Sequence, residues 1–389
     1  MTRVLLTGAT GQIGRWVLHE LAGRPDVELT LALRDPARQQ AGLAAWLAAR
    51  GVESARPLRA LPFDLDRPDE APRLLAQARP DVVVHLAARF AWGLPPDEAR
   101  RANVQASVAL LRALAGSGAT SGAAVTGAPQ GRQPARFIHV SGFMLQHRTH
   151  LQRLGIGADG QARDWPAVYR RAGGYEASKL HAHAEMTRTA RELGQPLVVL
   201  HPATVAGHSA HGELPEHAAL HQLCRQLARG RLGAIPGGAA YRLPLVAVDF
   251  VARFIAGVVQ DAAVQGGEYL LMDAASPPVP QLVRQLAEAL GRPAPRRVLP
   301  IALLRAVLRL PGAAARAGTH AESLDFLVRD VAFDTAVADR LAARWGLAHP
   351  PLDAVLRQTA AYVRAQMATG PDRRQGDTAG GPDLSTGPA

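Results

Sequence analysis

Near its start the chain runs from an apolar segment, Val4 to Thr7, into Thr7-Gly8-Ala9-Thr10-Gly11-Gln12-Ile13-Gly14, and then into a helical pattern that continues to Ala22. No other feature restricts the fold as much. The glycines are spaced G-x-x-G-x-x-G between an expected strand and an expected helix. Gly8 permits a tight turn, Gly11 lets backbone approach a pyrophosphate, and Gly14 lets helix and strand pack closely. The N-terminus of the helix then offers free N–H groups and a favourable dipole to phosphates. Three glycines alone are a weak signal, and their place between strand and helix strengthens it. The alternative is a structural turn that binds nothing.

Downstream, apolar runs alternate with helical patterns. Strands are expected at 28–33, 58–63, 82–86, 137–140 and 197–201, and helices at 41–50, 71–78, 97–115 and 175–193. Such alternation with short connections implies a doubly wound parallel α/β sheet covered on both faces. Residues 116–134 are rich in Gly, Ala, Ser and Pro and read as a flexible surface insertion. From 207 the pattern changes. Helices are expected at 215–229, 249–259, 279–290, 303–310 and 351–367, with strands at 243–248 and 269–272. The expected organisation is a dinucleotide-binding domain over 1–206 and a substrate-binding segment over 207–240. A return to the first domain follows over 241–265, then a substrate-binding region over 266–368 and a disordered tail over 369–389.

Bulk properties exclude several classes. No apolar run reaches the roughly 18 residues that a membrane span needs. The N-terminal apolar run is too short for a signal peptide. A single cysteine, Cys224, excludes an internal disulfide framework and suits a reducing, cytoplasmic setting. The net charge is +11, but the arginines are scattered and no basic block interleaves with aromatics, so nucleic acid is not expected as a partner. Of the 44 Lys and Arg residues only one, Lys179, is lysine. Where lysine survives alone, a compact ammonium with rotatable donors does what a flat guanidinium fork cannot.

Its neighbours give that ammonium a task. Tyr175-Glu176-Ala177-Ser178-Lys179 places a phenol and an ammonium four residues apart, on one face of a helix. A nearby ammonium is expected to lower the phenol's pKa, so that Tyr175 exchanges a proton with a carbonyl or alcohol oxygen as hydride moves. Lys179 is also suited to hold ribose hydroxyls. At the end of the second strand stand Leu33-Arg34-Asp35. Arg34 matches a ribose 2′-phosphate and favours NADP, with Arg38 assisting; the alternative is NAD, with Asp35 on the free hydroxyls.

These segments resemble the extended short-chain dehydrogenase/reductase family, which includes NAD-dependent epimerases and dehydratases. The resemblance covers roughly residues 3 to 300, in family order. It implies a Rossmann-type sheet with a smaller C-terminal substrate-binding region. It also implies that Gly8, Thr10, Gly11, Gln12, Ile13 and Gly14 form the cofactor loop. Asp64 and Leu65, in Phe63-Asp64-Leu65, fall at the adenine. Leu86, Ala87 and Ala88, in His85-Leu86-Ala87-Ala88, line the cofactor. Asn103 stands where a helix asparagine supports a proton relay through water. Pro202 and Val205, in His201-Pro202-Ala203-Thr204-Val205-Ala206-Gly207, lie beside the nicotinamide, with His201 in place of an arginine. Val246-Ala247-Val248-Asp249 returns to the first domain. A homodimer paired through helices is common in that family.

One departure concerns the turn after 137–140. The resemblance calls for two hydroxyl residues there, the second polarising the substrate carbonyl. This chain has Ser141-Gly142. Ser141 takes over if the turn shifts; otherwise a backbone N–H or a hydroxyl such as Thr149 must serve. The expected activity is NAD(P)-dependent hydride transfer with a small-molecule carbonyl or alcohol, catalysed by Tyr175, Lys179, Ser141 and Asn103. His201-Pro202-Ala203 looks more like the reductases of that family than its nucleotide-sugar enzymes. The rivals are a nucleotide-sugar epimerase or dehydratase that keeps NAD bound, and a non-catalytic NADP(H) sensor.

Other residues are assigned plainer roles. His208, His211, His217 and His221 lack an acidic partner at a metalloenzyme spacing, so no metal is expected; they line the cleft or face water, with His217 and His221 on one helix face. His147 and His150 read as solvated loop residues. Phe90, Trp92 and Phe143 follow strand ends and either line an apolar pocket or simply pack. The apolar helix at 303–310 reads as core-facing rather than membrane-bound.

Overall fold

The computed structural model describes residues 1–91, 93–122, 134–310, 312, 321–329 and 331–369. Trp92, most of the expected insertion (123–133) and all but the first residue of the expected tail lie outside them.

Seven parallel strands form the central sheet. They are β1 (Thr2–Thr7), β2 (Val27–Leu33), β3 (Arg59–Pro62), β4 (Val82–His85), β5 (Arg136–Val140), β6 (Leu197–Pro202) and a last strand, Gly267–Leu271. From edge to edge the order is Gly267–Leu271, β6, β5, β4, β1, β2, β3. The chain therefore builds outward from β1 in one direction, then crosses to β4 and builds in the other. That reversal leaves a crevice at the carboxyl ends of β1 and β4, where ligands bind in doubly wound sheets.

Both faces are covered, which is why the strands read as unbroken apolar runs. Val4, Leu6, Val82, Val84, Ile138 and Val140 pack toward the layer of α1 (Gln12–Ala22), α2 (Pro36–Ala48) and the helix Val248–Gln260. Leu5, Val83 and Phe137 pack toward α3 (Ala71–Ala78) and the long helix Ala106–Gly122. The helix Val248–Gln260 returns to lie against α1, as expected from the sequence. Arg136 ties that return down. Its guanidinium donates to the backbone carbonyls of Val258, Val259, Asp261 and Val264 at 2.8–3.0 Å, where the helix has run out of its own donors.

Several boundaries differ from the sequence reading, for local reasons. α2 begins at Pro36, because Pro36 suits the first helical position and the Asp35 carboxylate accepts from Arg38 N at 3.2 Å. The helix expected at 97–115 is a short helix Pro96–Ala99, a π-helical turn Arg100–Gln105 and the helix Ala106–Gly122. The first part of the expected insertion is thus helical. The helix expected at 175–193 is annexed to an earlier one, giving Trp165–Leu193 with a break at Gly173 (φ 77°). At the next residue an added side-chain carbon would lie 1.9 Å from Leu94 O, so Gly174 is required by that close approach. The apolar helix expected to face the core, Ile301–Leu308, buries only Leu308; Leu303 and Val307 are 49% and 45% exposed.

Candidate active site

The glycine loop turns at the carboxyl end of β1, and α1 starts one residue after Gly11. Gly8 has φ 76°, and a side-chain carbon there would lie 2.6 Å from Ala87 N. At Gly14 it would lie 2.0 Å from Gly8 O. Gly11 is exposed and caps α1 without a side-chain hydrogen bond, and the first turn carries no acidic residue. The N–H groups of that turn therefore face an open, positively polarised crevice. These features fit a dinucleotide pyrophosphate.

The remaining predicted cofactor residues ring the same crevice. Leu86, Ala87 and Ala88 follow β4, and Ala87 N donates to Thr7 Oγ1 at 3.2 Å. Gln12 reaches the other side, where its amide donates to Val205 O (3.4 Å) and Ala206 O (3.2 Å). Pro202 is buried at the end of β6. Arg34 follows β2, exposed, with no hydrogen bond or ion pair among the described residues. Asp35 is spent capping α2. Asp64 and Leu65 follow β3, half-buried, and Asp64 accepts from Asp66 N at 3.1 Å.

Gly173 restarts the helix just before Tyr175, so Tyr175 and Lys179 occupy its first turns on one face. Phe90 meets the Tyr175 ring edge-on at 4.5 Å, and His217 lies 5.8 Å from Phe90. Lys179 Nζ donates to Val140 O at 2.6 Å. Both side chains lie deep, although each keeps some accessible surface in the crevice. Burial pulls the Lys179 ammonium down to about 8. Burial, aided by the Glu176 carboxylate, pushes the Tyr175 phenol up to about 12. The lowered phenol expected from the sequence is therefore not what this geometry produces. Lys179 is bonded to a backbone carbonyl rather than to the phenol, and desolvation dominates.

Asn103 lies in the π-helical turn. Its Oδ1 accepts from Arg89 N at 2.7 Å, and its Nδ2 donates to Arg89 O at 3.0 Å and to Ser178 Oγ at 2.9 Å. Ser178 Oγ in turn donates to Tyr175 O at 2.7 Å. The Asn103 backbone carbonyl accepts from Ser107 Oγ. Asn103 thus braces the helical turn that carries Tyr175, and its amide donors are committed to that brace rather than to a relay water.

The turn after β5 holds the departure. Ser141 Oγ is buried and unpartnered. Gly142 has φ −161°, and an added side-chain carbon would meet nothing within 4 Å. Thr149 is exposed on the helix Arg148–Leu154. His147 and His150 are buried, contrary to the solvated reading. His147 caps that helix, and His150 Nε2 lies 2.5 Å from Glu176 Oε1. Phe143 is buried against Phe326 and Phe333. His217 precedes the helix Ala219–Ala228, so it does not share a helix face with His221. His208 and His211 pack on Trp16.

A band of histidines across the sheet was not anticipated from the sequence. Thr7 Oγ1 and His85 Nδ1 are 2.8 Å apart, and His85 Nε2 lies 2.9 Å from Ser107 Oγ. His139, the next in register, is buried with neither nitrogen partnered. Burial pushes His85 down to about 3 and His139 well below the usual range, with Lys179 adding to both. His183 and His201 then meet Glu268 at the sheet edge. Strand alternation puts residues 85, 139 and 201 on one face. That was readable only once the strand order was known.

A glycine loop at the switch point of a parallel sheet, with a half-buried Tyr/Lys pair on the helix beside β5, is the arrangement of a dinucleotide-binding α/β protein. The chain belongs to the NAD dependent epimerase/dehydratase family, whose model matches residues 4–271. The family's description names NAD as its cofactor. An aldehyde reductase from Aspergillus flavus, lnaA, is 28% identical over 280 residues, covering 68% of this chain and 25% of that protein. The chain thus spans about a quarter of that relative's length. The terminal R domain of the myxalamid PKS-NRPS pathway has the same fold, with a TM-score of 0.70 at 21% identity, covering 95% of this chain and 91% of that one. So does the UDP-glucuronic acid 4-epimerase from Bacillus cereus in complex with NAD, with a TM-score of 0.59 at 16% identity, covering 93% and 98%. No helix among the described residues is long and apolar enough to cross a membrane.

Proposed function

We propose that the chain is an NADP(H)-dependent reductase of a carbonyl compound. The observation that supports this reading most is the Tyr175/Lys179 pair, one helical turn apart, with Lys179 reaching Val140 O at the carboxyl end of β5. When bound, the nicotinamide supplies the hydride. Tyr175, a phenol held protonated by burial, donates its proton to the carbonyl oxygen. Lys179, anchored on Val140 O, holds positive charge beside the developing oxyanion and is placed to meet ribose hydroxyls. Asn103 is a positioning residue, acting through Ser178 and the Arg89 backbone. Among the described residues of the β5 turn, Ser141 is the hydroxyl that could orient the carbonyl, and its buried Oγ limits its reach to a substrate.

Arg34 supports NADP over NAD. Its guanidinium is exposed and unpartnered among the described residues, while the competing carboxylate of Asp35 caps a helix. The Phe90 ring against Tyr175 supports an apolar or mixed carbonyl substrate, in keeping with a relative named as an aldehyde reductase.

The test is to offer NADPH or NADH with a panel of aldehydes, ketones, quinones and acyl thioesters, following loss of nicotinamide absorbance. NADPH should be consumed in preference to NADH. Arg34→Ala should erase that preference. Tyr175→Phe should cut turnover by roughly 10²–10⁴ while leaving cofactor binding intact. Tightly held NAD without net redox turnover would instead indicate an epimerase. NADPH binding with no turnover on any substrate would indicate a sensor.

A further inference from the structure

His183, His201 and Glu268 come from three separate elements: the helix Trp165–Leu193, β6 and the strand Gly267–Leu271. One nitrogen of each imidazole and a carboxylate oxygen lie within 4.8 Å of one another. His201 Nε2 is 3.0 Å from Glu268 Oε2, and His183 Nε2 is 3.6 Å from Glu268 Oε1. The His201 side chain is 0% exposed and that of Glu268 is 41% exposed, so the cluster has a buried wall and an open side. We propose that His183, His201 and Glu268 form a binding site for a divalent transition-metal ion of the zinc type.

The donor set decides the class of ion. Two imidazoles and one carboxylate make up a zinc site that leaves a fourth position for water. Calcium and magnesium prefer oxygen donors throughout. Bonds of about 2.0–2.1 Å at tetrahedral angles place ligand atoms roughly 3.3 Å apart. The three donor atoms lie within 4.8 Å of one another, so closing on an ion takes side-chain movements of up to about 1.5 Å. The open side at Glu268 provides the entry path. Gln146 Nε2 lies 3.5 Å from Glu268 Oε2 and steadies the carboxylate.

A hydrogen bond without any ion accounts for His201 on Glu268. The second imidazole, on the other oxygen of the same carboxylate, brings the donor set to two nitrogens and a carboxylate within 4.8 Å. His201 also stands where the family resemblance calls for an arginine, which cannot ligate a cation, so the site arises from this chain's own residues. Its outer support is thin. The Nδ1 atoms of His183 and His201 have no partner. Outer-shell partners typically contribute about 10–100-fold in affinity, so roughly micromolar rather than nanomolar binding is expected. His183 follows Lys179 by one helical turn, so an ion held there alters the field at the catalytic pair. That consequence rests on the proposed reaction, whereas the binding does not.

The experiment uses the full, untagged chain, cleared of metal with a chelator and titrated with Zn²⁺ in a calorimeter. Co²⁺ serves as a visible-absorption probe of coordination. One ion per chain is expected, with a tetrahedral-type Co²⁺ spectrum. Glu268→Gln and His183→Asn should each weaken binding at least about tenfold, with metal-free circular dichroism and melting confirming that they fold. Glu268→Gln alters a partly exposed side chain and keeps its shape, so it keeps the test open if His183→Asn fails to fold. His211→Asn, at the separate histidine pair on Trp16, should bind as the parent does. Absence of saturable one-to-one binding, or binding unchanged in Glu268→Gln, would overturn the site. No nicotinamide or substrate is present, so failure here leaves the proposed reaction untouched, and failure of that reaction leaves this result standing.

Discussion

Gly142→Ser is expected to make this protein a faster catalyst without weakening its fold. Gly142 has φ −161°, extended backbone that any residue adopts, and an added side-chain carbon meets nothing within 4 Å. No strain or clash opposes the change. Reduced freedom in the unfolded chain contributes about 0.4–1 kcal/mol in favour of the folded state, by analogy with Gly→Ala at unstrained sites. The catalytic gain follows from what is missing. Deleting one donor to a developing oxyanion costs roughly 10²–10³ in kcat. A newly installed hydroxyl, less well positioned, should recover part of that, a rise of about tenfold or 1.4 kcal/mol. The assay is steady-state kcat and KM with the best carbonyl substrate and saturating NADPH, with Ser141→Ala measured alongside. KM should change little. Ser141→Ala should cost less than about tenfold, because its hydroxyl is buried and unpartnered. If Gly142→Ser leaves kcat unchanged and Ser141→Ala lowers it by about 10² or more, Ser141 is the polarising group and the reasoning fails.

Three further outcomes are expected. Burial lowers Lys179 to about 8, so kcat/KM for reduction should fall as pH rises through about 8; a profile flat to about pH 10, near the free lysine value, would exclude a role for its charge. His85 and His139 are neutral in the folded state and ordinary when unfolded, so below about 6.5 the unfolded chain binds protons that the folded chain does not. Stability should then decline on acidification toward about 3, by up to about 1.4 kcal/mol per pH unit per histidine, seen as a falling melting temperature that His85→Asn partly flattens. Arg136→Met orphans four carbonyls around the end of the return helix, and at about 1–3 kcal/mol for a buried orphan it should destabilise by at least about 3 kcal/mol in denaturant unfolding.

Much of this molecule was legible in the chain itself because the relevant signals are local. The glycine loop, the buried strands and the Tyr175/Lys179 spacing each lie within one short segment. What escaped depends on contacts distant in sequence. The glycines at the break are meaningful only beside their distant neighbours, Gly173 against Glu322 and Gly174 against Leu94 O. The phenol's raised pKa follows from depth in the fold, which i, i+4 spacing does not report. The histidine band forms because the strand order sets His85 beside His139, with His201 one strand further on. The helix Ile301–Leu308 is apolar yet mostly uncovered, so composition alone misplaced it.

The glycine break ahead of Tyr175 also bears on how this scaffold tolerates change. In an unbroken helix, one inserted residue swings everything after it by about 100° around the axis. Here Gly173, at φ 77°, interrupts that mechanical linkage. Insertions or deletions within 165–172 can be absorbed at the hinge, and the phenol and ammonium keep their bearing. The wall of the crevice is thereby uncoupled from its chemistry, leaving one free to diversify while the other stays in phase.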